Sequence, residues 1–184
     1  MSVKAENVRK GACKVDIKQD TLEIKYNYKT KSEKLKITKG KLESFTIVIP
    51  KNIELKNIDI DLGEGNIVDN TKSTNVENTI FDVGCGNITN NNLKSKNVKI
   101  DIGAGDLNLA GRIEELMNIG GGTGDITLNI KNTDLNEYNL KCDTGIGSIS
   151  VNDKSYGTEY EREGNECNKA ITVDLGVGNI KINN

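Results

Sequence analysis

The sequence contains no histidine and no tryptophan, only one proline, and aromatic residues make up just 4% of its 184 residues. The absence of histidine removes the side chain most often used as a general base or to activate a nucleophile. No apolar run approaches the roughly 18 residues of a membrane-spanning helix, and residues 1–11 lack the apolar centre of a signal peptide. We therefore expect no membrane span in this chain, which is either cytoplasmic or has its targeting segment elsewhere.

Charge and cysteine usage exclude further classes of protein. The formal net charge is only −2, and no basic stripe is interleaved with aromatic residues. Nucleic-acid binding is therefore not expected, because it depends on clustered basic side chains. The cysteines at 13, 85, 142 and 167 match no zinc-site spacing. We predict unpaired thiols, while the residues leave a Cys13–Cys167 disulfide open.

Glycine is abundant, and twelve of the nineteen glycines belong to a phrase that occurs six times. In VKIDIGAGDLNL (98–109), apolar residues alternate up to a Gly-x-Gly, a small polar residue follows, and alternation resumes. The first glycines are separated by 21, 19, 19, 23 and 31 residues. We number the units repeats 1 to 6, at 58–67, 79–88, 98–107, 117–126, 140–149 and 171–180.

A period near 20 residues, with one strand–corner–strand unit in each repeat, is typical of a stacked solenoid. A sandwich of ordinary hairpins is the alternative, but it has no need for corner glycines that recur in register. We predict an all-β fold, a single-stranded parallel β-helix (β-solenoid) with about 20 residues per rung. Its Gly-x-Gly corners are Gly63, Gly65, Gly84, Gly86, Gly103, Gly105, Gly122, Gly124, Gly145, Gly147, Gly176 and Gly178.

The inward side of each repeat can be read from the alternation, because side chains along a strand point to opposite faces. Residues five, three and one before the first glycine share one side and are mostly aliphatic, so this side faces a core. We predict that the middle set forms one buried column on parallel strands. Its members are Ile60, Phe81, Ile100, Ile119, Cys142 and Val173.

The predicted domain organisation is simple. Residues 1–14 are a lead-in, and 15–184 form one solenoid domain, in which 15–57 supply N-terminal strands and a cap and 58–184 supply the repeats. Arg112–Met117 has a helix-like sequence pattern, but the register of the repeat predicts a bulged strand. The charged excursion 153–169 is expected to project from the stack and to guard the last repeat, whose edge would otherwise invite strand addition.

Aspartate stands two residues before the first glycine in five repeats. Stacking would place these carboxylates about 5 Å apart, with an interruption at Gly120. They are candidate metal ligands, because hard oxygen ligands suit Ca²⁺. The alternative, which we favour, is that each carboxylate accepts hydrogen bonds from its own corner. The five are Asp61, Asp82, Asp101, Asp143 and Asp174.

A second polar set follows the corners, and its amide, carboxyl and hydroxyl groups are predicted to form a structural ladder like those of other stacked β-structures. Its members are Asn66, Asn87, Asp106, Asp125, Ser148 and Asn179. No cofactor is expected, since neither a nucleotide-binding motif nor a catalytic constellation occurs.

The strand Phe45–Pro50, followed by Leu55–Ile60 and the recurrent Asp-x-Gly-x-Gly phrase, resembles a bacterial β-strand-repeat family of unknown function whose members carry an adhesin label. The resemblance covers roughly Val15–Asn184. It implies a single-stranded parallel β-helix, often joined to a membrane anchor or a regulatory domain, located in the cell envelope and without catalytic residues. One departure is Gly120-Gly121, which leaves a gap in two columns of repeat 4.

The sequence and the resemblance together predict a non-catalytic scaffold or adhesin-like binding module of the bacterial cell envelope. Its partner would be an envelope protein or a glycan, and a cytoplasmic location is the alternative. A calcium- or carbohydrate-binding solenoid is the second interpretation. A glycan-active β-helix enzyme is the third, but no unique pair of carboxylates stands out for it. We expect a monomer, with weak self-association through solenoid ends.

Overall fold

The structure is a computed structural model that describes residues 2–6, 13–18, 21–26, 44–49, 55–71, 74–131 and 134–184. In these ranges the chain forms strands and turns, with a single 3₁₀ turn at Leu135–Glu137 and no α-helix. None of the described segments is a helix of the length and apolar character that a membrane span requires. The predicted all-β class is confirmed. The chain divides into two compact units, Met1–Ile53 and Glu54–Asn184.

The N-terminal unit contains two antiparallel strand pairs in its described residues. Strand β1 (Ser2–Glu6) pairs with β4 (Ser44–Val48), and β2 (Cys13–Lys18) pairs with β3 (Thr21–Tyr26). Strand β1 lies within the predicted lead-in. The strand expected around Leu35 and Ile37 lies outside the described residues.

The C-terminal unit carries the six repeats. Buried and exposed residues alternate along its strands with the period of two that strand geometry imposes. Repeats 1 to 4 run along β5 (Leu55–Glu64), β6 (Ile67–Asp69), β7 (Thr74–Cys85), β8 (Ile88–Ala104), β9 (Leu107–Thr123) and β10 (Ile126–Ile130). Repeat 5 lies on β11 (Asn139–Ile146) and β12 (Ile149–Val151), and repeat 6 lies on β15 (Ala170–Val177) and β16 (Ile180–Asn183).

The repeats pair in parallel, with equivalent residues opposite each other, so most of this sheet is parallel. The predicted column is confirmed by the strand register, in the order Ile60, Phe81, Ile100, Ile119, Val173, Cys142. The aliphatic residue after each corner follows the same register, in the order Ile67, Ile88, Leu107, Ile126, Ile180, Ile149.

The last two repeats are exchanged in space. Strand β15 of repeat 6 pairs with β9 of repeat 4 on one side and with β11 of repeat 5 on the other. Strand β16 likewise lies between β10 and β12. The repeats therefore adjoin in the order 1, 2, 3, 4, 6, 5. The expectation that repeat 6 is the final member of the series is wrong, because it fills the position between repeats 4 and 5.

The inward columns form a continuous apolar core. Phe81, Ile100, Ile119 and Val173 are each less than 5% exposed, and each rests on its counterparts in neighbouring repeats. Full burial of such a side chain stabilises the fold by about 1.5–3 kcal/mol. The core therefore exists only through contacts between repeats, since one repeat has no second apolar layer of its own.

Two bulges interrupt the register between β8 and β9. Asn91 and Asn92 on β8 stand opposite Ala110, and Glu114 and Glu115 on β9 stand opposite Lys96. An extra residue in one strand bends it locally without ending the pairing. The prediction that Arg112–Met117 is a bulged strand is confirmed.

Residues 154–162, which we call the cap, cover the outer edge of repeat 5. Strand β13 (Lys154–Tyr156) pairs antiparallel with β12, and β14 (Glu159–Arg162) pairs antiparallel with β11. Tyr156 lies opposite Ile149 and Tyr160 opposite Cys142, so the two tyrosines extend the inward columns. The expectations that this segment projects and that it guards repeat 6 are both wrong. The free edge that needs partners belongs to repeat 5.

A return segment, residues 163–169, leads from the cap into repeat 6, and it and the end of the cap are fixed to the turn before repeat 5. The Gly164 N–H donates to Asn139 Oδ1 at 2.9 Å, and Lys169 Nζ lies 2.6 Å from Glu137 Oε2. The Arg162 guanidinium donates to the Leu135 carbonyl. The hydrogen bond and charge of Glu137 raise the pKa of Lys169. These contacts hold the chain where it enters the position between repeats 4 and 5.

Candidate functional site

The two glycines of each corner have different physical roles. The second glycine has positive φ, for example 149° at Gly86, a conformation that L residues rarely adopt. The first glycine permits close approach, since a Cβ added at Gly84 would lie 2.5 Å from the Gly63 carbonyl oxygen. In repeats 2 to 6, the corners can therefore pair at strand spacing only if both positions are glycine.

The polar residues after the corners form a hydrogen-bonded ladder, as the sequence predicts. The Asn87 N–H donates to Asn66 Oδ1 at 2.8 Å, and the Asp106 N–H donates to Asn87 Oδ1 at 2.8 Å. Asp125, Asn179 and Ser148 continue the series through the same bond. Each side chain thus accepts from the backbone of the next repeat, which fixes the position of neighbouring corners.

The five predicted aspartates form a row on the outward side of the first strand of each repeat. Their register runs Asp61, Asp82, Asp101, then Gly120, then Asp174 and Asp143. All but Asp143 are exposed. Asp101 forms an ion pair with Lys99 at 3.2 Å. In the described part of the chain, Asp61, Asp82, Asp143 and Asp174 have no ion pair. The row therefore carries largely unneutralised charge.

The aspartates do not cap their own corners. The Gly86 N–H donates to the Ala104 carbonyl at 2.9 Å, and the Ile88 N–H donates to the Asp106 carbonyl at 2.9 Å. Corner N–H groups are thus used by the neighbouring repeat, while the aspartate side chains point to the opposite, solvent side. The capping interpretation favoured from the sequence is wrong for this reason.

The gap at Gly120-Gly121 is filled by neighbouring side chains. A Cβ added at Gly121 would meet Leu175 Cδ1 at 2.6 Å, so Leu175 occupies the inward space that a side chain at 121 would take. A Cβ at Gly120 would meet Asp101 Oδ1 at 2.7 Å, so the Asp101 carboxylate leans over the outward gap. Leu175 therefore takes the inward place of the missing side chain, and the Asp101 carboxylate takes the outward one.

The row is the candidate metal site predicted from the sequence, and its donors do not converge. Among the described residues, no three or more His, Cys, Asp or Glu side chains are grouped to hold a metal ion. The calcium ladder stays a prediction, and its natural members are the consecutive Asp61, Asp82 and Asp101.

The cysteines lie in contrasting environments. Cys85, at a corner, and Cys167, in the return segment, are exposed free thiols, whereas Cys142 is fully buried and free. The Cys13 side chain is outside the described part of the structure. Burial, and then the charge of Asp143, raise the pKa of Cys142 to about 12. Cys142 is thus a small apolar core residue rather than a nucleophile.

A groove of about 450 Å³ lies at the bulges of β8 and β9. It is lined by side chains of both signs, among them Lys56, Glu77 and Lys94. Lys94 Nζ lies 3.6 Å from Glu114 Oε1, so part of this charge is neutralised within the groove. The groove offers neither a matched acid and base nor an apolar pocket.

Sequence reasoning missed a second ladder at the start of the first strands. Asn78 Nδ2 donates to Asn57 Oδ1 at 3.0 Å, and Asn97 Nδ2 donates to Asn78 Oδ1 at 3.1 Å. The signal was present, because asparagine stands six residues before the first glycine in repeats 1, 2 and 3. This ladder strengthens the outward face without adding a chemical group that could catalyse a reaction.

Comparison with known proteins identifies a family for this chain. A family model described as Toastrack DUF4097 matches residues 1–184, the whole chain. No curated protein and no solved structure matches the sequence or the fold.

Proposed function

This chain belongs to the Toastrack DUF4097 family, a domain of unknown function, and on that premise we propose that it is a non-catalytic binding scaffold of the bacterial cell envelope. The scaffold is a β-solenoid with one repeat per rung. Two observations support the solenoid: the parallel in-register pairing of equivalent strands, and a core that is continuous from repeat to repeat. Such an array presents long, regular outward faces suited to binding.

The observation that carries the binding role is the composition of one outward face. We define the binding face as the aspartate row together with exposed Ile80 and Leu116, which alternate onto the same side of their strands. Exposed Ile146 and Val177 border it at the corners. Exposed apolar side chains beside unneutralised charge are typical of an interaction surface.

The non-catalytic part of the proposal has its own support. A glycosidase needs two carboxylates in different environments, one of which holds its proton near neutral pH. The aspartates here repeat a single solvent-facing position, and the chain has no histidine. Envelope location and the adhesin-like role rest on the resemblance of the repeats to the adhesin-labelled family.

The direct test is cosedimentation of the purified chain with isolated bacterial cell walls. We expect the unmodified chain to sediment, and the triple variant Asp61→Asn, Asp82→Asn, Asp174→Asn to remain in solution. The matched control is Glu77→Gln, Glu114→Gln, Glu115→Gln, which makes the same formal charge change outside the aspartate row and should still sediment. Equal behaviour of all three proteins would contradict the proposal, and so would release of reducing sugar ends from the walls.

The calcium-binding alternative is supported by the three consecutive aspartates of repeats 1 to 3. It predicts that millimolar Ca²⁺ raises the melting temperature by several degrees, and that Asp82→Asn with Asp101→Asn abolishes the rise. For the binding scaffold we expect Ca²⁺ and a chelator to leave the melting temperature unchanged. Differential scanning fluorimetry decides between the two.

A further inference from the structure

Repeat 6 fills a position between repeats 4 and 5, which we call the slot. Its strands β15 and β16 lie between β9 and β10 on one side and β11 and β12 on the other. All four flanking strands belong to residues 107–151, which precede repeat 6 in the sequence. The slot therefore accepts one strand–corner–strand unit, and residues 170–183 are the unit that fills it.

The slot is selective for a repeat of this kind. Inside it, Ile171, Val173 and Ile182 are fully buried. A Cβ added at Gly178 would lie 1.8 Å from the Gly124 carbonyl oxygen, so the corner in the slot must be glycine. Alternating aliphatic residues and a Gly-x-Gly corner are thus required together, and the repeat 6 of a second copy supplies both at the correct spacing.

The connection to repeat 6 turns on the surface of the protein. In the turn Glu166–Lys169, the Lys169 N–H donates to the Glu166 carbonyl at 3.3 Å, and the two residues between them are exposed. At the entrance of the slot, the Lys169 carbonyl accepts from the Asn139 N–H at 2.9 Å. Opening this turn would release the path of repeat 6 without changing any strand pairing that the slot offers.

We propose that repeat 6 is exchanged between two copies of this chain, each filling the slot of the other, to give a closed dimer. The inference goes beyond the proposed function, since it does not involve the binding face. Every strand pairing of repeat 6 is formed again in the dimer, and exchange of an identical element is a low-cost route to dimers. Fully extended, the return segment spans about 23–25 Å, which lets repeat 6 reach a neighbouring copy. This contact differs from the association through solenoid ends that the sequence predicts.

The amount of dimer should depend on the protein concentration during folding. A short linker holds repeat 6 beside its own slot at an effective concentration in the millimolar range, so dilute chains fold as monomers. We expect dimers when the chain is unfolded in urea and refolded at about 1 mM. They should persist on dilution, because leaving the slot exposes buried aliphatic side chains. Size exclusion with light scattering measures the mass, and monomers alone after concentrated refolding would overturn the inference.

Engineered cysteines identify whose repeat 6 occupies each slot. Thr172 lies opposite Asn118 of repeat 4, at a strand spacing of about 4.8 Å that a disulfide can bridge. One variant carries Asn118→Cys and another carries Thr172→Cys, and both also carry Cys13→Ser, Cys85→Ser and Cys167→Ser. After concentrated refolding of the mixture and oxidation, a covalent dimer should appear on a non-reducing gel.

Two matched variants control for the position and the reactivity of these thiols. In the first, Lys99→Cys replaces Asn118→Cys, because Lys99 lies one repeat further from Thr172, at about 9.6 Å, beyond the reach of a disulfide. This mixture should give no covalent dimer. In the second, Asn118→Cys and Thr172→Cys stand in one chain and should bridge within the monomer after dilute folding, which establishes that the pair reacts.

The doubly substituted chain also tests whether dimers require the release of repeat 6. Oxidised as a monomer, it should stay monomeric after refolding at about 1 mM, whereas its reduced form should dimerise like the unmodified chain. Absence of the covalent dimer from the Asn118→Cys and Thr172→Cys mixture would overturn the inference, and so would dimers of the oxidised chain. Cell-wall sedimentation of the monomer does not depend on exchange, so this inference and the proposed function can fail separately.

Discussion

Repeats 1 and 5 lie at opposite ends of the paired series, yet their inward side chains differ in burial. Leu140, Cys142 and Ile149 of repeat 5 are at most 1% exposed. Ile58 and Ile60 of repeat 1 occupy equivalent positions and are only partly buried. The sequence phrase is the same in both repeats, so the difference comes from what lies beyond each of them.

The cap accounts for the burial at repeat 5. Tyr156 and Tyr160 continue the inward columns, and their ring centroids are 4.3 Å apart, so the aromatic rings cover the last aliphatic layer. At the other end, β5 pairs with β7 alone among the described strands, so no described strand adds to the far edge of repeat 1. An apolar column stabilises a repeat fully only when both of its sides are covered.

Removal of the cap should have the largest effect. Deletion of Gly157–Glu166 leaves eight residues between β12 and β15, the same number that joins β10 to β11, so the chain can still make the connection. The edge of repeat 5 is then free to pair with another molecule. We expect dimers or aggregates by light scattering in about 1 M salt, where charge-driven association is screened.

The control for the deletion is Tyr156→Phe with Tyr160→Phe, which keeps the rings and should remain monomeric. A monomeric deletion variant as stable as the unmodified chain would show that the cap does not protect the edge.

Identical truncations in one column give the second prediction. Ile100→Ala, at a fully buried position of repeat 3, should lower the free energy of unfolding by about 2–5 kcal/mol through lost contacts and a cavity. Ile60→Ala, in partly buried repeat 1, should cost about half as much, because less contact is lost there. Urea unfolding measures both values. Equal losses would contradict the claim that the stability contributed by a residue of the column depends on how fully its repeat is covered by neighbours.

Alkaline pH should lower the free energy of unfolding through Cys142, which lies next to the cap. Burial raises the pKa of Cys142 from 9.0 to about 12, and burial is the largest cause of the raised pKa of Tyr160 opposite it. Between pH 9.0 and about pH 12, the Cys142 thiol keeps its proton in the folded state, whereas it has lost that proton in the unfolded state. The Cys142 contribution to stability is therefore full below about pH 9 and falls as pH rises towards about 12.

Stability measured by urea unfolding from pH 8 upward should thus decline less steeply in Cys142→Ala, once each variant is compared with its own value at pH 8. Cys85→Ala removes an exposed thiol and serves as the control, with the slope of the unmodified chain. Identical slopes in all three proteins would exclude Cys142 as the cause.

The corner ladder should show the smallest effect and no difference between repeats. Asn87→Ala removes the acceptor of the Asp106 N–H, and Asn66→Ala removes that of the Asn87 N–H. Both sites are exposed, so each loss should be about 0.5–1.5 kcal/mol. Asn87→Asp keeps the acceptor and should be nearly neutral. A much smaller loss at Asn66 would mean that the stability contributed by a ladder bond, like that contributed by a core residue, depends on whether neighbours cover both sides of its repeat.

The register of the fold was predictable, because glycine spacing and alternation specify which residues are equivalent. Ile100 and Ile119 were assigned to one column from their distance to Gly103 and Gly122, and strand pairing agrees. The bulge at Glu114 and Glu115 followed from the same counting. Local sequence carries this information because side-chain direction depends only on the period of the strand.

The order of the repeats was not predictable by the same means. Val173 and Cys142 are both compact apolar residues, and either fits beside Ile119, so the column does not record which repeat is the neighbour. The aspartates were misread for a related reason, since a carboxylate beside a corner can cap it only if neighbouring backbone does not already use the N–H groups.

The position of repeat 6 has a consequence for the order in which the protein can be completed during synthesis. Repeats 1 to 4 can add to one another as they emerge, each beside the one made before. Repeat 5 cannot take its final neighbour next, because that neighbour, residues 170–183, is made later. Pairs such as Ile126 with Ile180 span 54 residues and form late. Until then, repeats 4 and 5 each present an open strand edge to the crowded surroundings of the ribosome, and this interval is when the chain is most exposed to misassembly.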